Sequence, residues 1–387
     1  MKPIIGNAAT GEKFFKREKE IQKIWDRIER GNHVLLSAPR RVGKTSILYH
    51  LQENPKPNYK LIYILTEAVN NENEFFKRVY DHVFENLKTW AKYGKKFEHF
   101  SKILLSKVDA VNLEGIELGE SKVSYREHFI DLISSLEFAN EKLIIAIDEF
   151  PQTIENIKKD ESESNAIKFL ELNRELRQNR ELSSKIQFIY CGSIGLENIV
   201  SSLNSSSTIN DIVPVHIQSL SKVEANNFID SLLTETDLEI SLEVREYIFS
   251  QIKWLIPFYL QLVIDQICYY DFEDSSKSIS EEVIDKVIES MLEDRTYFDH
   301  WFSRLRKAYQ SNEFNFAKEL LNKISESGSI SSSEVTNFAH KYSLQSNYLD
   351  IVHALKHDGY INNSNDSKTY VFNFPLLKMW WNKNVAN

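Results

Sequence analysis

Between residues 33 and 218, short apolar runs alternate with stretches of helical periodicity. The apolar runs are unbroken and rich in Val, Ile and Leu, which is typical of strands covered by helices on both faces. Such strands alternating with helical stretches predict an α/β fold with a parallel sheet. The predicted strands span residues 33–38, 60–66, 142–148, 186–192 and 212–218.

Helical periodicity also precedes and interrupts these strands. Ile21, Ile24, Trp25 and Ile28 share one face of a predicted helix at 17–30, and a glycine follows as a helix stop. Between the second and third strands, residues 71–141 form an insertion. It is predicted to contain helices at 74–90 and 125–138 and, between them, a β-hairpin at 107–123.

After residue 220 the strand-like runs end and four helical stretches follow. They predict an all-helical lid over residues 221–300, behind an α/β core at 1–220. The tail at 313–387 predicts three helices and then a two-stranded hairpin, which is the element order of a winged-helix domain. The predicted lid helices span residues 222–235, 242–254, 257–270 and 281–294, and the tail helices span 315–327, 333–343 and 346–359.

Composition restricts the function classes. The 387 residues carry 47 basic and 56 acidic side chains, a formal charge of −9, so the chain has no general attraction to nucleic acid or to anionic membranes. Its two cysteines, Cys191 and Cys268, form no spaced motif, which favours a reducing compartment. No apolar run is long enough for a signal peptide or a membrane span. We therefore expect a soluble cytoplasmic protein.

The segment APRRVGKTS at 38–46 follows the first predicted strand and opens a helix. A helix N-terminus with free backbone N–H groups favours a phosphate, and Gly43 allows the backbone to approach it closely. Lys44 would reach the β- and γ-phosphates, and the Thr45 hydroxyl would ligate Mg²⁺. Ala38 replaces the usual first glycine, which is tolerable if its φ is negative. The predicted ATP-binding residues of this loop are Ala38, Pro39, Arg40, Arg41, Val42, Gly43, Lys44, Thr45 and Ser46.

Two arginines lie inside this loop. A guanidinium group can neutralise phosphate charge that develops during transfer, and Arg41 is the candidate for a catalytic role. Alternatively, Arg40 and Arg41 face solvent or pair with acids on a neighbouring loop. Arg174 and Arg177, on a helical stretch at 164–178, are weaker candidates for an arginine supplied across a subunit interface, and a solvated helix face is the preferred interpretation there.

The run LIIAIDEF at 143–150 predicts a buried strand that ends in two acids. Acids at the carboxyl end of a central parallel strand lie beside the ligand crevice. Asp148 would hold Mg²⁺ through water, and Glu149 would orient and deprotonate the attacking water. After the next strand, Ser193 is the candidate polar sensor of the γ-phosphate, with Cys191 less favoured because a thiol is a weak donor.

These motifs resemble those of the STAND-type, AAA-like P-loop ATPases of the archaeal-type ATPase group. The resemblance covers most of the chain, and the RRxGKTS loop is its most specific element. The matching segments are FFKRE at 14–18, APRRVGKTS at 38–46, IIAIDEF at 144–150, CGS at 191–193, WLIPFYLQ at 254–261 and YVFNFPLLKMWW at 370–381.

The resemblance implies an ATPase core, a helical lid and a winged helix that act as a nucleotide-dependent switch. It also implies that Phe15 and Arg17 lie near the adenine or the core–lid junction and that Pro257 contacts the base. Two departures affect that region: Lys16 replaces a common glycine, and Trp254-Leu255 replaces a common Gly-Gly pair. For Pro257, a helix-starting proline is an equally good interpretation.

Three functions are therefore compared. The first is an ATP-hydrolysing switch with a protein partner, with nucleotide-dependent homo-oligomers as one option; the second is a DNA-associated ATPase of the origin-recognition or loader kind. Residues 313–387 carry seven lysines, seven acids and no arginine, and the expected recognition helix carries one lysine. Duplex DNA is bound mainly through phosphate neutralisation, so this tail favours a protein partner. The third function, a small-molecule kinase, is the least favoured, because the Asp148–Glu149 pair favours attack on the phosphate by water and not by a metabolite.

Overall fold

The computed structural model describes residues 3–93, 124–136, 141–192, 195–272, 279–309 and 311–386. The chain divides into two compact units. The sheet unit comprises Lys16–Ala38 and Lys44–Ile217. The helical unit comprises Met1–Phe15, Pro39–Gly43 and Gln218–Asn387. The predicted hairpin at 107–123 lies outside the described residues.

The sheet unit contains five parallel strands in the order β2-β3-β4-β1-β5. Its strands are β1 (His33–Ser37), β2 (Tyr59–Leu65), β3 (Lys142–Asp148), β4 (Ile186–Cys191) and β5 (Ile212–His216). Its helices are α1 (Glu18–Glu29), α2 (Lys44–Glu53), α3 (Glu72–Tyr93), α4 (Tyr125–Ser134), α5 (Phe150–Asp160), α6 (Glu163–Gln178), α7 (Arg180–Lys185) and α8 (Leu196–Ser202). A 3₁₀ turn follows at Ser206–Ile209.

Burial explains the apolar strands. In β3 every residue after Lys142 is buried, and all six residues of β4 are buried. The strand order places β1 next to β4, with Leu36 opposite Cys191, and places β3 next to β2, with Asp148 opposite Leu65. Because the strands are parallel, their carboxyl ends lie at one edge of the sheet. The ends of β1, β3 and β4 carry the predicted nucleotide-binding residues.

The helical unit contains helices and a small antiparallel sheet in the order β6-β8-β7. Its helices are α9 (Lys222–Leu233), α10 (Leu242–Ile252), α11 (Pro257–Cys268), α12 (Glu281–Glu293), α13 (Asp299–Ala308), α14 (Ser311–Ser327), α15 (Ser332–Lys341), α16 (Tyr348–His357) and α17 (Pro375–Asn384). Its strands are β6 (Ile330–Ser331), β7 (Ile361–Asn363) and β8 (Thr369–Phe372). Shorter 3₁₀ turns lie at Gly11–Lys13 and Arg295–Tyr297.

A single hydrophobic core runs through the helical unit, from Leu220 to Val385. Large aromatic side chains fill it, among them Tyr259, Tyr360 and Trp380, which are almost fully buried. Helix starts are defined locally: Ser221 and Ser331 each form a capping box with a glutamate three residues later. None of the helices in the described ranges is long and apolar enough to span a membrane.

The α/β fold class with a parallel sheet is confirmed. All five predicted strands are present, and each end agrees within two residues. Short helices α7 and α8 were not predicted, because six or seven residues carry too little periodicity. Helix α5 was not predicted for another reason. It begins directly after Asp148 and Glu149, and this acidic pair was interpreted as the end of a strand and not as the start of a helix.

Candidate nucleotide-binding site

The loop between β1 and α2 has an unusual backbone. Arg41 and Gly43 have positive φ angles of 65° and 100°, whereas Val42 between them does not. Alternation of this kind turns successive N–H groups toward one concave side, which is how backbone nests bind anions. A Cβ on Gly43 would meet no atom within 4 Å, so the glycine is required by its conformation and not by space. Ala38 has no positive φ, so an alanine is tolerated at the position where a glycine is usual.

Lys44 is the first residue of α2 and is buried, as is Ser46. The Lys44 Nζ donates a hydrogen bond of 2.9 Å to the carbonyl oxygen of Ala38, across the loop. This bond satisfies an ammonium group that would otherwise be costly to bury. It also holds the positive charge at the N-terminus of α2, where a phosphate would be bound.

Asp148 ends β3 and is 3% exposed. Its Oδ2 accepts hydrogen bonds from Thr45 Oγ1 at 2.7 Å and from the Tyr63 hydroxyl at 3.1 Å. Its Oδ1 accepts from the backbone N–H of Glu149 at 3.0 Å. The two residues predicted to hold the metal are therefore in direct contact, although they are 103 positions apart in the sequence.

Glu149 has a left-handed backbone, with φ 57° and ψ 32°, and caps the N-terminus of α5. A non-glycine residue in this region is strained, and such strain concentrates at functional sites. The conformation results from an immediate change from strand to helix, because β3 ends at Asp148 and α5 begins at Phe150. Glu149 is therefore the residue next to Asp148 in the sequence, but it lies outside the buried strand.

The end of β4 adds Cys191, which is fully buried. Burial raises the pKa of its thiol well above the ordinary value, and the neighbouring Asp148 carboxylate raises it further. The thiol is therefore uncharged, and it lies close enough to Asp148 and Lys44 to feel both charges. Ser193, the predicted sensor, lies outside the described residues.

The two loop arginines differ in their surroundings. Arg40 is exposed and forms no hydrogen bond or ion pair with any residue in the described ranges. Arg41 is partly buried, and its guanidinium carbon lies 3.8 Å from the centroid of the Phe258 ring. Its Nη1 donates to the carbonyl oxygen of Tyr297 at 3.1 Å. The remaining loop residue, Val42, is buried.

The residues that the family resemblance adds have ordinary structural partners. Phe15 packs against Phe228, with ring centroids 4.9 Å apart. Arg17 is 4% exposed and forms an ion pair of 2.6 Å with Glu20. Pro257 is the first residue of α11, where a proline has no hydrogen bond to lose. A contact with adenine stays a prediction for all three.

Arg177 corrects one sequence interpretation. It was assigned to a solvated helix face, but it is 4% exposed. Its guanidinium forms two hydrogen bonds with the Asp211 carboxylate, at 2.8 and 2.9 Å, and also donates to the carbonyl oxygen of Thr208. Arg177 thus fastens the segment before β5 to α6 and is not available to a second subunit.

Tyr63 was missed by the sequence analysis. It lies in an apolar strand, where a tyrosine hydroxyl must find a partner, and that requirement is the signal that could have identified it. Its hydroxyl bonds to Asp148 and its ring contacts Tyr49, with centroids 4.6 Å apart. Burial and the adjacent carboxylate raise the Tyr63 pKa far above its ordinary value, so the hydroxyl stays a donor.

The Thr45 and Asp148 oxygens also fit a magnesium ion. Mg²⁺ prefers hard oxygen ligands and is usually held by one or two protein groups together with water and substrate phosphates. The Thr45 Oγ1 and Asp148 Oδ2 atoms lie 2.7 Å apart and so face the same point. The donor set therefore matches a nucleotide-bound metal rather than a site built entirely from protein ligands.

Comparisons with known proteins agree with this geometry at the level of the fold. No protein-family model matches the sequence, and the comparison with curated proteins also gives no match. A Walker-type ATPase of Pyrococcus abyssi is similar in structure, with a TM-score of 0.66 and 16% identity over 97% of this chain and 98% of that chain. The ORC2 protein of Aeropyrum pernix, solved with ADPNP and ADP, has a TM-score of 0.55 and 11% identity over 97% and 92%. The chain therefore shares the fold of these two proteins over most of its length.

Proposed function

We propose that this protein is a Mg²⁺-dependent ATPase that acts as a molecular switch. The observation that carries the proposal is the contact between Thr45 and Asp148 beside Lys44. It joins the two halves of a phosphate and metal site from distant parts of the sequence. The similarity to a Walker-type ATPase supports the same conclusion.

The residues have separate roles in the proposed reaction. Lys44 and the loop N–H groups bind the β- and γ-phosphates, and Thr45 and Asp148 would hold the metal, which would neutralise phosphate charge. Glu149 accepts a proton from the water that attacks the γ-phosphorus. The bond from that phosphorus to the bridging oxygen of the β-phosphate breaks, and ADP and inorganic phosphate leave.

A Glu149→Gln variant tests this proposal. Loss of the proton acceptor should lower ATP turnover about 10³-fold, while the dissociation constant for ATP stays within about threefold. Glu155→Gln, an exposed position on the same helix, is the matched control and should turn over normally. Unchanged turnover in Glu149→Gln would remove Glu149 from its role, and normal ATP binding by Lys44→Ala would refute the whole site.

We also propose that residues 313–387 form a winged-helix domain that contacts a protein. Helix α14, strand β6, helices α15 and α16 and strands β7 and β8 follow one another in winged-helix order. The exposed positions of α16 are Leu349, Asp350, His353 and His357, and its one lysine, Lys356, donates a hydrogen bond to Asn363. A surface with an apolar residue and no arginine suits a protein better than a phosphate backbone.

A DNA-associated ATPase is the second candidate, because the Aeropyrum pernix ORC2 protein shares the fold over most of the chain. Binding of duplex DNA measured between 50 and 200 mM salt, roughly the range over which phosphate contacts weaken, separates the two functions. We expect no robust binding at the upper end of this range. Tight binding there would favour the DNA-associated function.

The cytoplasm is the proposed location. Cys191 and Cys268 are both free thiols, which fits a reducing compartment.

A further inference from the structure

Five residues of the phosphate loop cluster with a different unit from the residues on either side of them. Pro39–Gly43 belong to the helical unit, whereas Ala38 and Lys44 belong to the sheet unit. The contacts of Arg41 explain this division, because its partners Phe258 and Tyr297 are residues of the helical unit. Arg41 thus fastens the middle of the loop to residues of the helical unit.

The fastening has two components. The flat guanidinium lies over the Phe258 ring at 3.8 Å, which is a cation–π contact of close geometry. The same group donates a hydrogen bond to the Tyr297 carbonyl oxygen. Burial lowers the Arg41 pKa to about 10, so the group is still a cation at neutral pH. An arginine held in this way has fewer donors left for a phosphate than the exposed Arg40.

The partners of Arg41 are themselves fixed by aromatic packing. Phe258 meets Tyr259 edge-on at 5.3 Å, and Tyr259 stacks on Phe298 at 5.8 Å. Close packing of this kind allows few independent shifts, so a displaced ring must move its neighbours.

Hydrogen bonds extend the same set of residues toward the C-terminus. The Tyr259 hydroxyl accepts a bond of 2.9 Å from Trp301 Nε1, and the Trp301 carbonyl oxygen accepts one of 2.7 Å from the Tyr360 hydroxyl. Tyr360 immediately precedes β7. A continuous series of contacts therefore leads from Arg41 in the phosphate loop to the first residues of the hairpin.

The Arg41 charge is also felt on α13. His300 is the second residue of α13 and is partly buried. Burial lowers the His300 pKa, and Arg41 and Arg40 lower it further. The ring therefore stays neutral beside Arg41 and does not repel it.

We propose that Arg41 is a positioning residue that couples the phosphate loop to the C-terminal helices through Phe258 and Tyr297. When a bound nucleotide restricts the motion of the loop, the Arg41 contacts also restrict the motion of α11 and α13. Arg40, with no partner of its own in the described ranges, is the loop arginine left to meet phosphate or a partner. The inference rests on the proposed nucleotide function and replaces the direct catalytic role predicted for Arg41.

Hydrogen exchange of the full-length protein, with and without Mg²⁺ and a non-hydrolysable ATP analogue, tests the coupling. In the wild type, the analogue should slow exchange in α11 and α13 about tenfold. Arg41→Gln and Phe258→Leu should each reduce this slowing to less than about twofold, while the dissociation constant for the analogue stays within about threefold. Phe258→Tyr keeps the ring face and should retain the slowing.

Arg40→Gln is the matched control, since it makes the same substitution one residue earlier. Because Arg40 is left to meet phosphate, this variant is compared at a saturating concentration of the analogue, where it should retain the nucleotide-dependent slowing in α11 and α13. The Arg41→Gln/Phe258→Leu double variant should lose no more slowing than either single variant, because both remove one contact.

The outcomes separate failure of this inference from failure of the proposed function. A wild type that does not bind the analogue refutes both. If the wild type binds it, full slowing in Arg41→Gln or Phe258→Leu refutes only the coupling. A loss of affinity above about 100-fold in Arg41→Gln, with Phe258→Leu binding normally, would instead make Arg41 a direct phosphate ligand.

Discussion

The two units use buried polar groups in opposite ways. In the sheet unit, the polar groups of Lys44, Thr45, Tyr63 and Asp148 are gathered near the carboxyl end of one strand, above a core of aliphatic and phenylalanine side chains. In the helical unit, buried hydroxyl and indole groups are dispersed through the aromatic core, and the Trp301 indole, the Tyr360 hydroxyl and the Trp381 indole each donate a hydrogen bond to a different neighbour. The first arrangement concentrates charge for chemistry, and the second fixes how large rings pack.

This difference has a structural cause. Parallel strands all end at the same edge of their sheet, so polar residues at several strand ends meet whatever their separation in sequence. Helices meet along their faces, and their polar contacts depend on which rings interlock. Substitutions in the helical unit should therefore affect mainly stability, and substitutions at the strand ends should affect mainly metal and nucleotide binding.

The largest effect is expected in the helical core. Trp301→Ala removes a buried ring and its hydrogen bond to the Tyr259 hydroxyl, so the free energy of unfolding should fall by about 3–5 kcal/mol. Trp301→Phe keeps most of the ring but leaves the Tyr259 hydroxyl without its donor, and should cost about 1–2 kcal/mol. Chemical denaturation measures both. Equal losses in the two variants would mean that the hydrogen bond matters and the ring volume does not.

A smaller effect, dependent on pH, is expected inside the sheet unit. Burial, and then the Arg177 charge, lower the His33 pKa from 6.5 to about 4. The neutral ring accepts a bond from the Phe188 N–H through Nδ1 and lies 3.3 Å from the Arg177 carbonyl oxygen through Nε2. Because the folded-state pKa is lowered, this stability is complete above pH 6.5 and is lost as the pH falls toward 4.

Between pH 7.5 and pH 5 the loss should be about 2 kcal/mol. His33→Asn keeps an acceptor without a titrating group, so it should lack this part of the pH dependence. Unfolding of both proteins by urea across the pH range measures the difference. Parallel curves for the two proteins would exclude His33 as the cause.

The smallest effect is expected at Tyr63. Tyr63→Phe removes one hydrogen bond to the Asp148 carboxylate and leaves those from Thr45 and from the Glu149 N–H. The Mg²⁺ concentration for half-maximal ATP turnover should rise about fivefold, with metal-free nucleotide binding unchanged. Tyr59→Phe, on the same strand but packed on Trp25, is the control. An unchanged Mg²⁺ dependence would mean that Tyr63 contributes to packing and not to metal binding.

Several features of the sheet unit could be predicted because they depend on local pattern. Apolar runs located all five strands, and the helix after the phosphate loop begins at Lys44, one residue after Gly43. The contact between Thr45 and Asp148 was expected from the roles of strand ends. The predicted domain boundaries and nucleotide contacts stay predictions, and Ser193 lies outside the described residues.

The sequence by itself determined where the chain forms strands and helices, and which residue types stand at the strand ends, because periodicity and loop chemistry are local. Only the tertiary structure decided what the two neighbouring arginines contact. Arg40 and Arg41 are equivalent in sequence, but the positive φ of Arg41 is accompanied by contacts with Phe258 and Tyr297, more than 200 positions away. A cation–π contact depends on the placement of one ring, and no local pattern encodes that placement.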